Sequence, residues 1–189
     1  MNEIELKERL FALMKEKVYR YSAEEFTLAS GKKSHHYFNC KELLLYPDRL
    51  SLVSKYFVHF LIPKIQSTPE SVGGLTMGAD PLSYAISLEY YREGSIVYPL
   101  VVRKETKDHG MKKLVEGATH VKSCLVIDDV VTTGGSTLKA VKALRESGIT
   151  VESGICILDR EEGGFETLQQ EGVKMNSIFK KTDFGSDKI

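Results

Sequence analysis

Residues 125–137, LVIDDVVTTGGST, restrict what this chain can fold into more than any other stretch. Leu125, Val126 and Ile127 form an apolar run that ends in two acids, Asp128 and Asp129. The chain then passes through Val130 and Val131 into Thr132, Thr133, Gly134, Gly135, Ser136 and Thr137 at the head of a helical pattern. A buried strand that delivers polar groups at its carboxyl end and turns into a helix is the ligand-binding corner of an open parallel sheet. The two glycines let backbone N–H groups approach an anion, and the helix N-terminus adds the positive end of its dipole. Thr132, Thr133, Ser136 and Thr137 supply hydroxyl donors, so the turn reads as a monophosphate cradle. The paired acids repel a phosphate and need a partner further out: ribose hydroxyls, a metal or a developing cation. A sugar phosphate satisfies both halves. The competing reading has the hydroxyl residues cap the helix while the acids form salt bridges. A cap, however, takes one such residue, not a run of four around two glycines. Neither G-x-x-x-x-G-K-[ST] nor G-x-G-x-x-G occurs, which disfavours ATP- and NAD-type sites.

The surrounding pattern agrees with an α/β class. From residue 71 onward SVGGL, IVYPLVVRK, SCLVIDDVV and ITVESGICIL alternate with the helical stretches ADPLSYAISLEYY and STLKAVKALRES. Nearly continuous apolar strands alternating with helices predict a parallel sheet covered on both faces. Upstream, Ile4, Leu6, Leu10, Phe11, Leu13, Met14 and Val18 recur at helical spacing and predict an amphipathic helix over 3–18, packing as a lid or an interface. FTLASGKKSHHYFN, residues 26–39, reads as two short strands around a Ser-Gly-Lys-Lys turn. Pro47 opens a second helix running to about residue 61. We therefore divide the chain into a small N-terminal hood, 1–66, and an α/β core, 67–189, with 104–119 as a long charged loop.

Charge and cysteines exclude several classes. Lys plus Arg and Asp plus Glu are 26 each in 189 residues, so no net field draws the chain to nucleic acid or an anionic membrane. No stretch approaches the ~20 apolar residues of a membrane span. The N-terminus MNEIELKERL lacks a secretory pattern, so the cytoplasm is expected. Cys40, Cys124 and Cys156 are odd in number and widely spaced; they fit neither a disulfide framework nor a zinc site.

The strand, acid pair, hydroxyl pair and glycine of 125–137 resemble the phosphoribosyl diphosphate signature of the type I phosphoribosyltransferases. Four further segments narrow the resemblance to the orotate phosphoribosyltransferases: RKETKDHG at 103–110, FTLASGKKSHHYFN, DREEGG at 159–164 and GLTMGADP at 74–81. The resemblance implies a type I core with an N-terminal hood, and transfer of ribose 5-phosphate from 5-phosphoribosyl 1-diphosphate to orotate. It implies Lys107, His109, Asp128 and Asp129 as catalytic residues. Phosphoribosyl diphosphate contacts would come from these together with Arg103, Lys104, Val130, Val131, Thr132, Thr133, Gly134, Gly135 and Ser136. Orotate contacts would come from Thr132, Arg160, Tyr37 and Phe38, although Tyr37 and Phe38 equally suit a core. Independently of the resemblance, Arg103, Lys104, Lys107 and His109 concentrate positive charge suited to a diphosphate, and a cation at Arg160 suits a carboxylated base. The resemblance also implies Mg²⁺, held mainly by substrate oxygens and water, and a homodimer with shared active sites. Two departures stand out: Ala29 replaces a lysine that some members carry before the Ser-Gly, and Asp80 replaces a lysine in the pyrophosphate loop. The competing readings are a phosphoribosyltransferase for another base and a ligand-binding regulator without catalysis.

Overall fold

The computed structural model describes residues 1–27, 33–105, 114–118 and 120–185. Helix α1, Glu3–Leu13, starts at a capping box in which the Asn2 side chain accepts the Glu5 N–H and the Glu5 carboxylate accepts the Asn2 N–H, both at 3.0 Å. It runs on through one wide turn, Met14–Val18. Leu6, Leu10, Met14 and Val18 are all buried in the main core cluster, so one face of this helix is a wall of the core. The hairpin follows as β1, Tyr19–Thr27, antiparallel to β2, Lys33–Phe38. β1 begins well before residue 26 because Tyr19, Arg20 and Tyr21 pair with Phe38, Tyr37 and His36; the register then shifts before Phe26. A short α2, Lys41–Leu44, precedes α3, Pro47–Tyr56, whose helical path continues to Leu61.

The remaining elements are β3 (Ser71–Leu75), α4 (Asp80–Arg92), β4 (Tyr98–Val102), β5 (Val115–Gly117), β6 (Leu125–Val131), α5 (Gly135–Glu146), β7 (Ser153–Asp159), α6 (Gly164–Gln170) and β8 (Lys174–Lys180). They form one six-stranded sheet in the order β5-β4-β3-β6-β7-β8. All neighbours are parallel except β5, which returns antiparallel onto β4. The tail of the expected 104–119 loop is therefore an edge strand: Val115 is buried, and Leu100, Val101 and Val102 pair with Gly117, Glu116 and Val115.

Two apolar clusters cover the sheet. Leu82 and Ile86 of α4 lie in one with α1, α3 and the hood; Ala140, Val141 and Leu144 of α5 lie in the other with Leu168 of α6. Within β6 the alternation is direct, Leu125 and Ile127 facing the first cluster and Val126 the second. The hairpin is tied to the core by rings: Tyr19, Phe38 and Phe184 lie with centroids 5.1–5.6 Å apart, and Phe11 lies 5.1 Å from Phe184. Strand β3 at the centre carries no side chain at two positions for a reason of space. A Cβ on Gly74 would lie 2.0 Å from the Ile127 carbonyl oxygen and 2.7 Å from the Ala79 Cβ. Gly74→Ala should cost about 1–3 kcal/mol of stability by overpacking, read from urea unfolding midpoints; an unchanged midpoint would show that β3 and β6 can separate freely.

Candidate active site

The paired acids stand near the sheet's carboxyl edge, where β6 has left β3 and remains paired with β7. Asp128 is 6% exposed, and Asp129 is half-buried. Each carboxylate is held locally: Asp128 Oδ1 accepts the Asp129 N–H at 3.0 Å, Asp129 Oδ1 accepts the Val130 N–H at 2.9 Å, and the Thr137 hydroxyl donates to Asp128 Oδ2 at 2.7 Å. Burial, followed by repulsion from Asp129, raises the Asp128 carboxyl to about 7, against the pull of the Thr137 bond. Thr137 is thus buried and committed to Asp128, which removes it from the hydroxyls expected to face a phosphate.

The cradle follows. Gly134 adopts φ 81, ψ −4, a left-handed conformation that favours glycine, and α5 begins with no side chain capping its first turn. The capping alternative therefore fails at its own position: the residue at the cap is a glycine. Thr132 is half-buried, while Thr133, Gly135 and Ser136 are exposed at the helix head. Val130 and Val131, expected at the ligand, pair along β7, with Val131 buried in the second core cluster and Val130 packed against the first. Their side chains build the strand and only their backbone remains for a ligand.

A second turn braces the first. A Cβ on Gly164 would lie 2.4 Å from the Thr132 carbonyl oxygen and 2.9 Å from the Gly134 nitrogen, and a Cβ on Gly134 would lie 2.9 Å from the Gly164 carbonyl oxygen. The Arg160 N–H donates to the Val131 carbonyl at 2.9 Å. The DREEGG turn and the cradle are therefore in backbone contact. On the other flank, the 76–78 turn lies against the acids: a Cβ on Gly78 would be 2.7 Å from Asp129 Oδ1 and 3.2 Å from Asp128 Oδ1. The Thr76–Met77 peptide is cis. Asp80 accepts the Thr76 hydroxyl at 2.6 Å in the first turn of α4, a structural role where some relatives of the pattern carry a lysine.

Thr76, Arg103, Lys104 and Glu105 line a cavity of about 540 Å³, which brings the expected diphosphate cations to the 76–78 turn. Arg103 lies 3.6 Å from Glu116 of β5. Lys107 and His109 lie outside the described residues, as does Ala29. Arg160 is only 4% exposed; its Nε is 3.1 Å from Glu162 Oε1 and its Nη2 donates to the His36 carbonyl at 3.2 Å. Phe38 is a core residue under the Arg160 guanidinium, whereas Tyr37 is exposed and packs on Phe26. Thr76 and Glu162 have no individual role in the sequence reading; they become visible only when separate turns close on one another. All three cysteines are buried free thiols. Burial raises each, Cys124 to about 12, so none is a nucleophile near neutrality.

Three comparisons bear on this geometry. No family model matches the chain. It is 59% identical over 179 residues to the orotate phosphoribosyltransferase of Leptospira biflexa, covering 94% of this chain and 97% of that one. Its fold superposes on the crystal structure of the Mycobacterium tuberculosis orotate phosphoribosyltransferase with a TM-score of 0.78 at 30% identity, over 96% of this chain and 99% of that one. A structure of that mycobacterial enzyme in complex with 5-phospho-α-D-ribosyl 1-diphosphate matches with a TM-score of 0.69 at 26% identity, over 97% and 91% of the two chains.

The raised Asp128 carboxyl fixes a sign. Between the ordinary carboxyl range and about pH 7 the folded chain keeps a proton that the unfolded chain releases. The resulting stabilisation is full below about pH 4 and is lost as pH rises through about 7. Asp128→Asn, whose amide can serve both the Asp129 N–H and Thr137, lacks this loss. Its unfolding midpoint relative to the unmodified chain should therefore climb from pH 5 to pH 8. Parallel pH profiles for the two proteins would mean that Asp128 is ionised throughout.

Proposed function

The chain belongs to the orotate phosphoribosyltransferase family and transfers ribose 5-phosphate from 5-phosphoribosyl 1-diphosphate to orotate, forming orotidine 5′-phosphate and pyrophosphate for pyrimidine biosynthesis, and we propose that its residues divide this work between a sugar-holding strand end and a base-holding turn. The observation that carries the division is the acid pair beside an uncapped, glycine-headed helix, braced by the turn that bears Arg160. The 5-phosphate takes the backbone N–H groups at 132–136 with the Thr133 and Ser136 hydroxyls, and the ribose diol donates to Asp128 and Asp129. As the C1–oxygen bond to the diphosphate breaks and the bond from C1 to N1 of orotate forms, positive charge develops on the sugar. An ionised carboxylate at Asp128, held in a buried setting where attraction is strong, stabilises that developing charge electrostatically.

The diphosphate departs toward Arg103 and Lys104 in the cavity behind Thr76, and Lys107 and His109 are assigned to the same task by the motif they share. Thr132 and Arg160 are assigned to orotate, with Tyr37 and Phe38 as the hairpin's contribution to that wall. Mg²⁺ would be carried in by the substrate and held mainly by its oxygens and by water, with Asp128 and Asp129 as the carboxylates available at the site. When bound, the ion would neutralise charge on the departing diphosphate.

The same reading includes a homodimer. Tyr84, Leu88 and Tyr91 form an i, i+4, i+7 stripe on α4 and are 50, 56 and 70% exposed, with Met77 and Ile96 exposed at its two ends. A continuous apolar stripe on one helix face is the kind of surface that a second copy covers, and Met77 carries it to the turn beside the acids. No helix among the described residues is long and apolar enough to cross a membrane. The cytoplasm is the proposed compartment, supported by three cysteines kept as buried thiols.

Initial rates with 5-phosphoribosyl 1-diphosphate and Mg²⁺ against orotate, uracil, hypoxanthine, xanthine and adenine should show turnover with orotate alone, lost on adding EDTA and restored by Mg²⁺; turnover of another base and none of orotate would overturn the assignment. Sedimentation velocity of the double variant Leu88→Glu, Tyr91→Glu should show a monomer with sharply lower activity. A dimer that persists in that variant would place the interface elsewhere.

A further inference from the structure

The turn after β7 contains Glu161 at φ 55, the one positive-φ side-chain-bearing residue among the described residues. A non-glycine residue held there is strained, and such positions persist where surrounding contacts over-determine them. Two contacts do so here. The Glu161 N–H donates to Asp159 Oδ1 at 2.8 Å, and Glu161 Oε2 accepts the Thr182 N–H at 2.9 Å. What the turn achieves is seen one residue later: the chain doubles back, and Glu162 Oε1 meets Arg160 Nε at 3.1 Å with both side chains largely buried. The guanidinium also donates through Nη2 to the His36 carbonyl at 3.2 Å and to the Ser34 hydroxyl oxygen at 3.4 Å, and its carbon lies 5.5 Å from the Phe38 ring centroid. A guanidinium is a rigid plane, so an ion pair against Nε together with the hydrogen bonds from Nη2 restricts both its tilt and its depth.

We propose that Glu162 is a positioning residue for the base: it locks Arg160 into one orientation before orotate arrives, so that the substrate carboxylate meets a preset fork. This rests on the reading above that Arg160 pairs with the orotate carboxylate. A mobile arginine would lose side-chain entropy at each binding event; a buried ion pair inside the protein removes that cost from the substrate's affinity. The effect belongs to the base and not to the sugar phosphate, since Glu162 pairs with the Arg160 side chain, whereas the cradle is braced by backbone contacts of Arg160 and Gly164.

The test compares Glu162→Gln, Glu162→Asp and Arg160→Gln by steady-state kinetics, with each substrate varied at saturation of the other. Glu162→Gln should raise KM for orotate roughly tenfold, the loss expected of one charge-assisted bond, with KM for 5-phosphoribosyl 1-diphosphate and kcat changed less than about twofold. Glu162→Asp, which retains the charge, should recover part of the orotate affinity, and the thermal midpoints of both Glu162 variants should verify folding. Equal rises in both KM values, or a fall in kcat alone, would overturn the proposal by making Glu162 a general support of the turn. If Arg160→Gln raises KM for orotate and neither Glu162 variant does, the positioning role falls while the base assignment stands. If Arg160→Gln leaves KM for orotate unchanged, the base assignment falls first and takes the positioning role with it.

Discussion

Two adjacent carboxyls at the buried end of β6 impose the constraint around which the other site elements are arranged. Like charges in a low-dielectric setting repel, and each needs donors to remain there. The chain supplies them from two directions, the backbone N–H groups of Asp129 and Val130 and the hydroxyl of Thr137 in the first turn of α5, while the side-chain-free approach at Gly78 leaves the acids room. Each supplier is local to the corner formed by β3, β6 and α5. The order of the central strands, with β3 beside β6, follows the same need, because only that adjacency brings the 76–78 turn over the acids.

Charge is placed by position rather than by amount. The chain is formally neutral, yet acids collect where a sugar would become cationic, and cations collect one turn away where a diphosphate would leave. The base end is handled differently. There Arg160 and Glu162 oppose each other inside the protein, so the pair cancels its own charge and contributes directional order.

Much of this architecture is legible in the residues. The apolar run 125–127, the acid pair and the glycine turn announce the strand-to-helix corner, and the alternation beyond residue 71 announces the sheet. What escapes is set by contacts between distant segments. The start of β1, YRYSAEE, has no alternation to betray a strand and exists because Tyr19 to Tyr21 find partners in β2. β5 is only Val115–Gly117 and is defined by the edge of β4. β8, KMNSIFK, and the short α6 lie in a stretch whose mixed polarity gives no strong period. At the site, Thr137 looked like one more phosphate donor because sequence order cannot tell which side of a helix head faces a buried acid. Val130 and Val131 looked like ligand residues because they lie inside a motif, whereas the pleat turns their side chains into the core. Arg160 was legible as a cation at a strand end, but its burial and its partner depend on a backward fold at Glu161 that no local propensity favours.

The glycine-to-glycine contact between 134 and 164 reaches beyond this chain's own chemistry. Because the two turns touch through bare backbone, neither can be exchanged as an independent cassette. A protein engineer who transplants a new base-recognising turn into 159–164 also inherits a steric condition on the phosphate turn, and any side chain at 164 displaces the Thr132 carbonyl before it meets a base. Selectivity for the base and grip on the phosphate are thus bound into one heritable unit, and substitutions that retune the first will be filtered by their effect on the second.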